Sequence, residues 1–330
     1  MIIGFPRDLL GLVLCTRDGG ELDVREADES GGSLIEATLR CRRCDAAYSV
    51  RGGILDLLGD ESIADERSAF ELKARDRDSE SSLHPKGLPP WHPAWRTQLE
   101  VPATLRRLGD LSGTTMLELG CGTGLYTRSC AGICARILAV DFSRASLRIN
   151  AENFAGTAST GFLRAEVGRL RLRRGAFDVA LTTLYSNLPT AEIRRTVNRC
   201  VREALRPGGR YLVSAHHQDL KRRLRALPSD GLYSERFPVF FHCFSRAELE
   251  AELTDFEIGA TSAVCIFLPL LSRNRALLPL LSRVAERIPG VNLLGLLLLA
   301  TAFKPSEGRR LTDQTKGPLR TRAAAVGGGK

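Results

Sequence analysis

What this 330-residue chain has little of narrows its reading first. No apolar run reaches the roughly 20 residues that a membrane-crossing helix requires. The most apolar stretch, Val291 to Phe303, spans thirteen residues and reads as a buried strand. The opening MIIGFPRDLLGLVLCTRD is interrupted by Arg7 and Asp8 and has no small-residue cleavage site behind a basic region. A secretory signal is therefore not expected, and the cytoplasm is the expected compartment. Lysine is scarce, confined to positions 73, 86, 221, 304, 316 and 330, so arginine carries the basic side. The formal charge of +9 is concentrated at one end: residues 305 to 330 hold six Lys/Arg against Glu307 and Asp313. The remainder is mildly basic, and charge alone does not single out a nucleic-acid binder. Nine cysteines, an odd number, do not suit a disulfide framework; they point to thiols or metal ligands. There is no internal repeat.

What is present divides into four stretches. Residues 1–59 are Gly-rich with short apolar runs, Leu9–Leu14, Leu34–Leu39 and Ile54–Leu58, and read as a small module of short strands. Charged and then Ser/Pro-rich sequence over 60–95 reads as a linker. From 96 to 304 strands and amphipathic helices alternate. Strands are expected at Thr115–Leu119, Ile137–Val140, Phe177–Thr182, Tyr211–Ser214, Phe256–Leu268 and Leu293–Phe303, with a further short one ahead of Glu166. Helices are expected at Ser143–Phe154, Ala191–Leu205 and Arg273–Arg287, with another opened by a Ser245/Glu248 capping box. Repeated β-then-α units predict an α/β fold with a doubly wound, mainly parallel sheet, capped around 216–250 and 268–291. Residues 305–330 read as a disordered basic tail.

The segment TTMLELGCGTGLYT runs an apolar strand into Gly120, Gly122 and Gly124 before a new helix. Only glycine lets backbone approach a ligand closely while taking positive φ, and the helix N-terminus offers free N–H groups. A dinucleotide site would want glycine at 125, where Leu125 stands, and Glu118 would repel a phosphate. A ligand with an ammonium and a carboxylate suits the loop better than NAD. Asp141, closing the strand ILAVD, can accept from both ribose hydroxyls, and Glu166 from an adenine amino group.

LELGCGTG, VDFS, FDVALTTLYSNLP and LRPGGRYLVS follow one another in the order and spacing of the class I S-adenosylmethionine-dependent methyltransferases. Residues 96–304 resemble that family, particularly its small-molecule type. The resemblance implies a seven-stranded Rossmann-like sheet and S-adenosylmethionine as cofactor. Glu118, Gly120, Gly122 and Gly124 would hold its methionine part, with Cys121 beside them. Asp141 with Phe142 would hold the ribose, and Glu166 with Val167 the adenine. The family more often has Asp at the position of Glu166.

Cys41 and Cys44 form C-x-x-C, whereas the earlier knuckle reads C-x-x-D, with Asp18 three residues after Cys15. Tyr48, Val50, Gly53, Ile54, Leu57 and Leu58 complete a pattern similar to zinc-ribbon-like methyltransferase-activator modules. That resemblance leaves two states open: structural zinc on Cys15, Asp18, Cys41 and Cys44, or a module that folds without metal. The other six cysteines read as small buried hydrophobes.

In such sheets the acceptor lies at the carboxyl ends of the fourth and fifth strands of the fold. His216, His217 and Tyr185 are the catalytic candidates there, with Asn187 nearby, His242 in the cap and Tyr126 beside the glycine loop. The stretch from Val239 to Val291 is apolar enough to line a pocket for a hydrophobic acceptor, to touch a membrane surface with Arg273, Arg275, Arg283 and Arg287 outward, or simply to pack on the sheet. The leading expectation is methylation of a small, lipophilic metabolite. An RNA base methyltransferase using KRRLR at 221–225 and RLRLRR at 169–174 is the alternative, and a non-catalytic partner protein the third.

Overall fold

The protein was described from a computed structural model covering residues 4–58, 72–74, 76, 94–154, 159–183, 185–235, 238–266 and 277–306. The chain opens with β1 (Phe5–Pro6) and a single helical turn, α1 (Arg7–Leu10), where the sequence predicted a strand. β2 (Leu22–Ser30) and β3 (Ser33–Cys41) form a hairpin closed by Gly31 and Gly32, at φ +57° and +78°, the two left-handed residues that a tight hairpin turn demands. β4 (Ala47–Arg51) and β5 (Ile54–Asp56) continue the antiparallel order.

After α2 (Ala94–Leu108) come β6 (Thr115–Leu119), α3 (Leu125–Cys130), β7 (Arg136–Asp141), α4 (Arg144–Glu152) and β8 (Ser159–Arg164). β9 (Phe177–Thr182), α5 (Ala191–Ala204) and β10 (Leu205–His217) follow. Then come α6 (Leu220–Leu224), β11 (Asp230–Leu232), β12 (Phe240–Phe244), α7 (Arg246–Glu252), β13 (Glu257–Val264), α8 (Leu278–Ala285) and β14 (Leu297–Phe303). The expected capping box is formed: Ser245 accepts from the Glu248 amide while the Glu248 side chain returns to the Ser245 amide. The helix expected from Arg273 is described from Leu278, and the strand expected to Leu268 ends at Val264. The tail reading lies, from residue 307 on, outside the described residues.

The central strands are ordered β8-β7-β6-β9-β10-β14-β13, parallel except for β14, which runs antiparallel between β10 and β13. β6 and β14 are almost wholly buried because helices or loops cover both faces, so their sequences read as continuous apolar runs rather than alternating ones. The chain winds from β6 outward to β8 and returns to β9 on the other side of β6, which opens a crevice at the carboxyl ends of β6 and β9.

The sheet does not end at seven strands. β5 pairs in parallel with β8, Ile54 opposite Phe162 and Leu55 opposite Leu163, so the N-terminal strands extend it. Phe5 and Leu9 pack directly over Gly161 of β8, where an added Cβ would stand 2.8 Å from Phe5 Cε2. Arg164 Nη1 lies 2.9 Å from the buried Asp56 carboxylate, an ion pair from β8 to β5. Residues 4–58 thus share one hydrophobic core with the central strands instead of standing ahead of them as a separate module.

Candidate active site

Glu118 is the one acid in β6, and it is fully buried. Thr127, in the first turn of α3, donates to Glu118 Oε2 at 2.7 Å, and Asn150 Nδ2 of α4 donates to Thr127 Oγ1 at 2.9 Å. Glu118 Oε1 and Asn150 Oδ1 have no hydrogen-bond partner among the described residues. Burial is the chief cause that pushes the Glu118 carboxyl up to about 8, the Thr127 bond opposing it and the Asp141 charge adding to it. Thr127 and Asn150 were not singled out in the sequence. The available signal was a polar residue at position 150 on the buried face of α4, in line with Ser143, Ser146 and Leu147.

The glycine turn is left-handed throughout, with φ +71° at Gly120, +51° at Gly122 and +92° at Gly124. A Cβ at Gly124 would collide with the Asn150 side chain, whereas the space where one would stand at Gly122 is empty within 4 Å. Asp141, at the end of β7, accepts from the Gly122 amide at 2.8 Å and the Ser143 amide at 2.9 Å. Ser143 Oγ donates to Asp76 at 2.5 Å, so part of the stretch expected to be a linker reaches this corner. Glu166 follows β8, half-buried, with Oε2 buried and lacking a partner among the described residues. Val167 packs against the core that continues into residues 4–58. Phe142 is half-buried and its carbonyl accepts from Arg164. Cys121 turns its thiol into the core, where burial first and the two neighbouring acids next keep it protonated.

At the carboxyl end of β10 the three catalytic candidates separate. His216 is half-buried; its Nε2 lies 3.2 Å from the Tyr233 hydroxyl, and its amide donates to Ser186 Oγ at 2.6 Å. Asn187 Nδ2 donates to the Phe240 carbonyl at 2.5 Å and lies 3.4 Å from the same Tyr233 hydroxyl. This group sits where the acceptor was expected, and Tyr233 is the member that sequence reasoning missed. His217 is instead buried, with Nδ1 2.8 Å from the Gly295 carbonyl, and desolvation lowers its pKa. Tyr185 lies apart from them: its ring is fully buried against Phe244 and its hydroxyl accepts from Asn198 at 2.9 Å. Tyr126 packs likewise, its hydroxyl accepting from Thr104.

A second cluster lies in the N-terminal strands. Cys15, Asp18, Cys41 and Cys44 each offer a donor atom, and all four atoms lie within 4.8 Å of one another. Cys15 and Cys44 sulfurs are 3.6 Å apart, close to the roughly 3.8 Å edge of a tetrahedron built on a 2.3 Å zinc–sulfur bond. Tyr48 braces Cys15 through its hydroxyl at 3.1 Å, and a Cβ at Gly20 would stand 2.6 Å from Cys41 Sγ. Of the remaining cysteines, five are buried and Cys200 is partly so, as expected.

Residues 116–209 match a family model described as a methyltransferase domain. A demethylmenaquinone methyltransferase of Lactococcus lactis is 28% identical over 156 residues, covering 46% of this chain and 55% of that protein. One from Clavibacter sepedonicus is 30% identical over 116 residues, covering 35% and 46%. The chain thus spans about half the length of these curated relatives. Among solved structures, the N-methyltransferase NodS of Bradyrhizobium japonicum, in complex with S-adenosyl-l-homocysteine, superposes with a TM-score of 0.50 at 13% identity, covering 72% of this chain and 99% of that one. The chain therefore has the α/β, Rossmann-like fold of the methyltransferases, and its residues 116–209 are similar to a methyltransferase domain.

Proposed function

We propose that this protein transfers the methyl group of S-adenosylmethionine to a small, lipophilic acceptor. The observation that carries the reading is Glu118: a buried carboxyl with an orphaned oxygen, at the end of the central strand, beside an open left-handed glycine turn. A buried acid without a partner is costly, and a cationic amino group would satisfy it. Asp141 and Glu166, at the ends of the next two strands, would take the ribose hydroxyls and the adenine amino group. These carboxyl acceptors fit the cofactor, which when bound supplies an electrophilic methyl on a sulfonium.

The chain's own residues bind and orient. Gly122 presents backbone without a side chain, and Asp141 fixes that turn by accepting its amide. Much of the acceleration of such a displacement comes from alignment of the acceptor. His216, whose Nε2 lies beside the Tyr233 hydroxyl, would accept a proton from an acidic acceptor hydroxyl, and Asn187 donates to the Phe240 carbonyl at this end. The lipophilic acceptor is supported by the relatives, whose names place two of them on demethylmenaquinone. In the N-terminal strands, Cys15, Asp18, Cys41 and Cys44 would hold a structural zinc, fastening the loops together without entering the chemistry.

A second reading, methylation of an RNA base, has one observation in its favour. A cavity of about 600 Å³ between residues 14–19 and α5 is lined by Arg169, Arg171, Arg174 and Arg199 against Glu203. The deciding experiment offers labelled S-adenosylmethionine with isoprenoid phenols or with RNA, to the full chain and to one ending before Pro305. Transfer to the phenol that is insensitive to truncation and salt supports the metabolite reading. Transfer to RNA that falls steeply with salt or truncation replaces it.

A further inference from the structure

α8 is amphipathic the wrong way round for a helix that only covers a sheet. Leu278, Ser282 and Ala285 are buried, yet Leu277, Leu280, Val284 and Ile288 also emerge, at helical spacing on a separate stripe. Leu280 is 57% exposed and Val284 52%. The stripe continues into the turn Val291–Leu294 through Leu293, and α6, which packs against that turn, adds Leu224 at 78% exposed. Scattered surface leucines need no explanation, but a run of this kind on adjoining elements does.

Charge decides what covers it. Arg283 and Arg287 flank the stripe on α8, and Lys221, Arg223 and Arg225 flank it on α6, all exposed. The acids nearby are turned inward: Glu286 accepts from Ser282 Oγ and the Cys265 amide, and the buried Asp219 caps α6 through the Arg222 amide. Residues 277–294 contain no other acid, and α6 contains none. Among the described residues of these elements, the exposed apolar side chains stand with exposed cations, which matches a bilayer surface with anionic headgroups, into which leucines insert while arginines meet phosphate.

The stripe also adjoins the acceptor end. The carbonyl of Gly295, just after the Val291–Leu294 turn, accepts from His217 Nδ1 at 2.8 Å, and Leu297 two residues on lies opposite His216 in the β14–β10 pairing. We propose that the face made by α6, α8 and the Val291–Leu294 turn docks on anionic lipid, so that the acceptor end meets the layer in which a lipophilic acceptor dissolves. The inference rests on the lipophilic-acceptor reading above.

The test is co-sedimentation of the full chain with vesicles of phosphatidylcholine, alone or mixed with phosphatidylglycerol, at low and high salt. Binding to the mixed vesicles is expected, weakened by salt, and reduced roughly tenfold or more in Leu280→Glu/Val284→Glu. Arg283→Glu/Arg287→Glu, which leaves the apolar packing untouched, should reduce it too. Absence of binding by the unaltered chain, or binding by either double variant as strong as that of the unaltered chain, overturns the proposal. So does an unaltered chain that runs as a dimer and that Leu280→Glu/Val284→Glu makes monomeric, because the stripe then serves a second copy. Calorimetry with S-adenosylmethionine on the same samples without vesicles reports on the catalytic reading separately, and the variants should match the unaltered chain there.

Discussion

The amide of Gly122 donates to Asp141 Oδ2 at 2.8 Å, so the acid that closes β7 also holds the glycine turn that leaves β6. One carboxylate thereby couples two strands at the crevice. Its removal has two consequences: the turn loses an acceptor and a bound ribose loses its own. Asp141→Ala should weaken S-adenosylmethionine binding by about 1.5–3 kcal/mol, roughly 10- to 150-fold. Calorimetry checks this, and NADH should not compete. Unchanged affinity in a folded variant removes Asp141 from the site.

Glu118 makes stability depend on pH in a defined direction. Its folded-state pKa is raised to about 8, chiefly by burial, so the folded chain holds a proton that the unfolded chain releases at ordinary glutamate pH. Its contribution to stability is complete below the ordinary glutamate pKa and is lost as pH rises toward 8. Without cofactor, the unfolding midpoint should fall over that window, and Glu118→Gln should flatten the fall while abolishing tight cofactor binding. A variant whose pH profile tracks that of the unaltered chain would show that Glu118 is not the group responsible.

Gly161 measures how far residues 4–58 belong to the core. An alanine methyl there meets Phe5 Cε2 at 2.8 Å and Leu9 Cδ1 at 3.0 Å. Overpacking of this kind costs about 1–3 kcal/mol, so denaturant unfolding of Gly161→Ala should shift to lower concentration in a single transition. Two separated transitions in the unaltered chain would mean that the N-terminal strands fold on their own.

Metal content divides the two states of the cysteine cluster. With zinc on Cys15, Asp18, Cys41 and Cys44, elemental analysis should return about one ion per chain, and Cys41→Ser should lower both metal content and melting temperature. Stoichiometric zinc that survives loss of Cys41 and Cys44 together would place the ion elsewhere.

The three candidates for acceptor chemistry should separate in kinetics as they do in space. His216→Gln should lower kcat by about 10²-fold or more on a hydroxyl acceptor while leaving S-adenosylmethionine affinity close to that of the unaltered chain. Tyr185→Phe should chiefly cost stability, by about 0.5–1.5 kcal/mol, because it deletes a buried hydrogen bond from Asn198. Comparable kcat losses in both variants would contradict this division.

Much of this protein was legible in its sequence because local chemistry forced it. Left-handed backbone at 120, 122 and 124 requires glycine, a buried parallel strand must be apolar, and Ser245 with Glu248 can satisfy two helix-end amides by themselves. The order of those signals was enough to give the sheet and the positions of Glu118, Asp141 and Glu166. The cysteine spacing likewise marked the residues that converge on one point. Tertiary structure decided what depends on neighbours distant in the chain. Tyr185 and His216 are both polar aromatic residues near strand ends, and only the packing of Phe244 and Asn198 against one and Tyr233 against the other shows that the first is buried in the core and the second half-buried at the end of β10. The edge of β8 carries no sign in its own sequence that β5 will pair with it, because backbone hydrogen bonds are the same for any partner. Composition shifts at residues 60–95 suggested a separate module, but Gly161, Phe5 and Leu9 fit one another only in three dimensions, and that fit makes residues 4–58 part of the core.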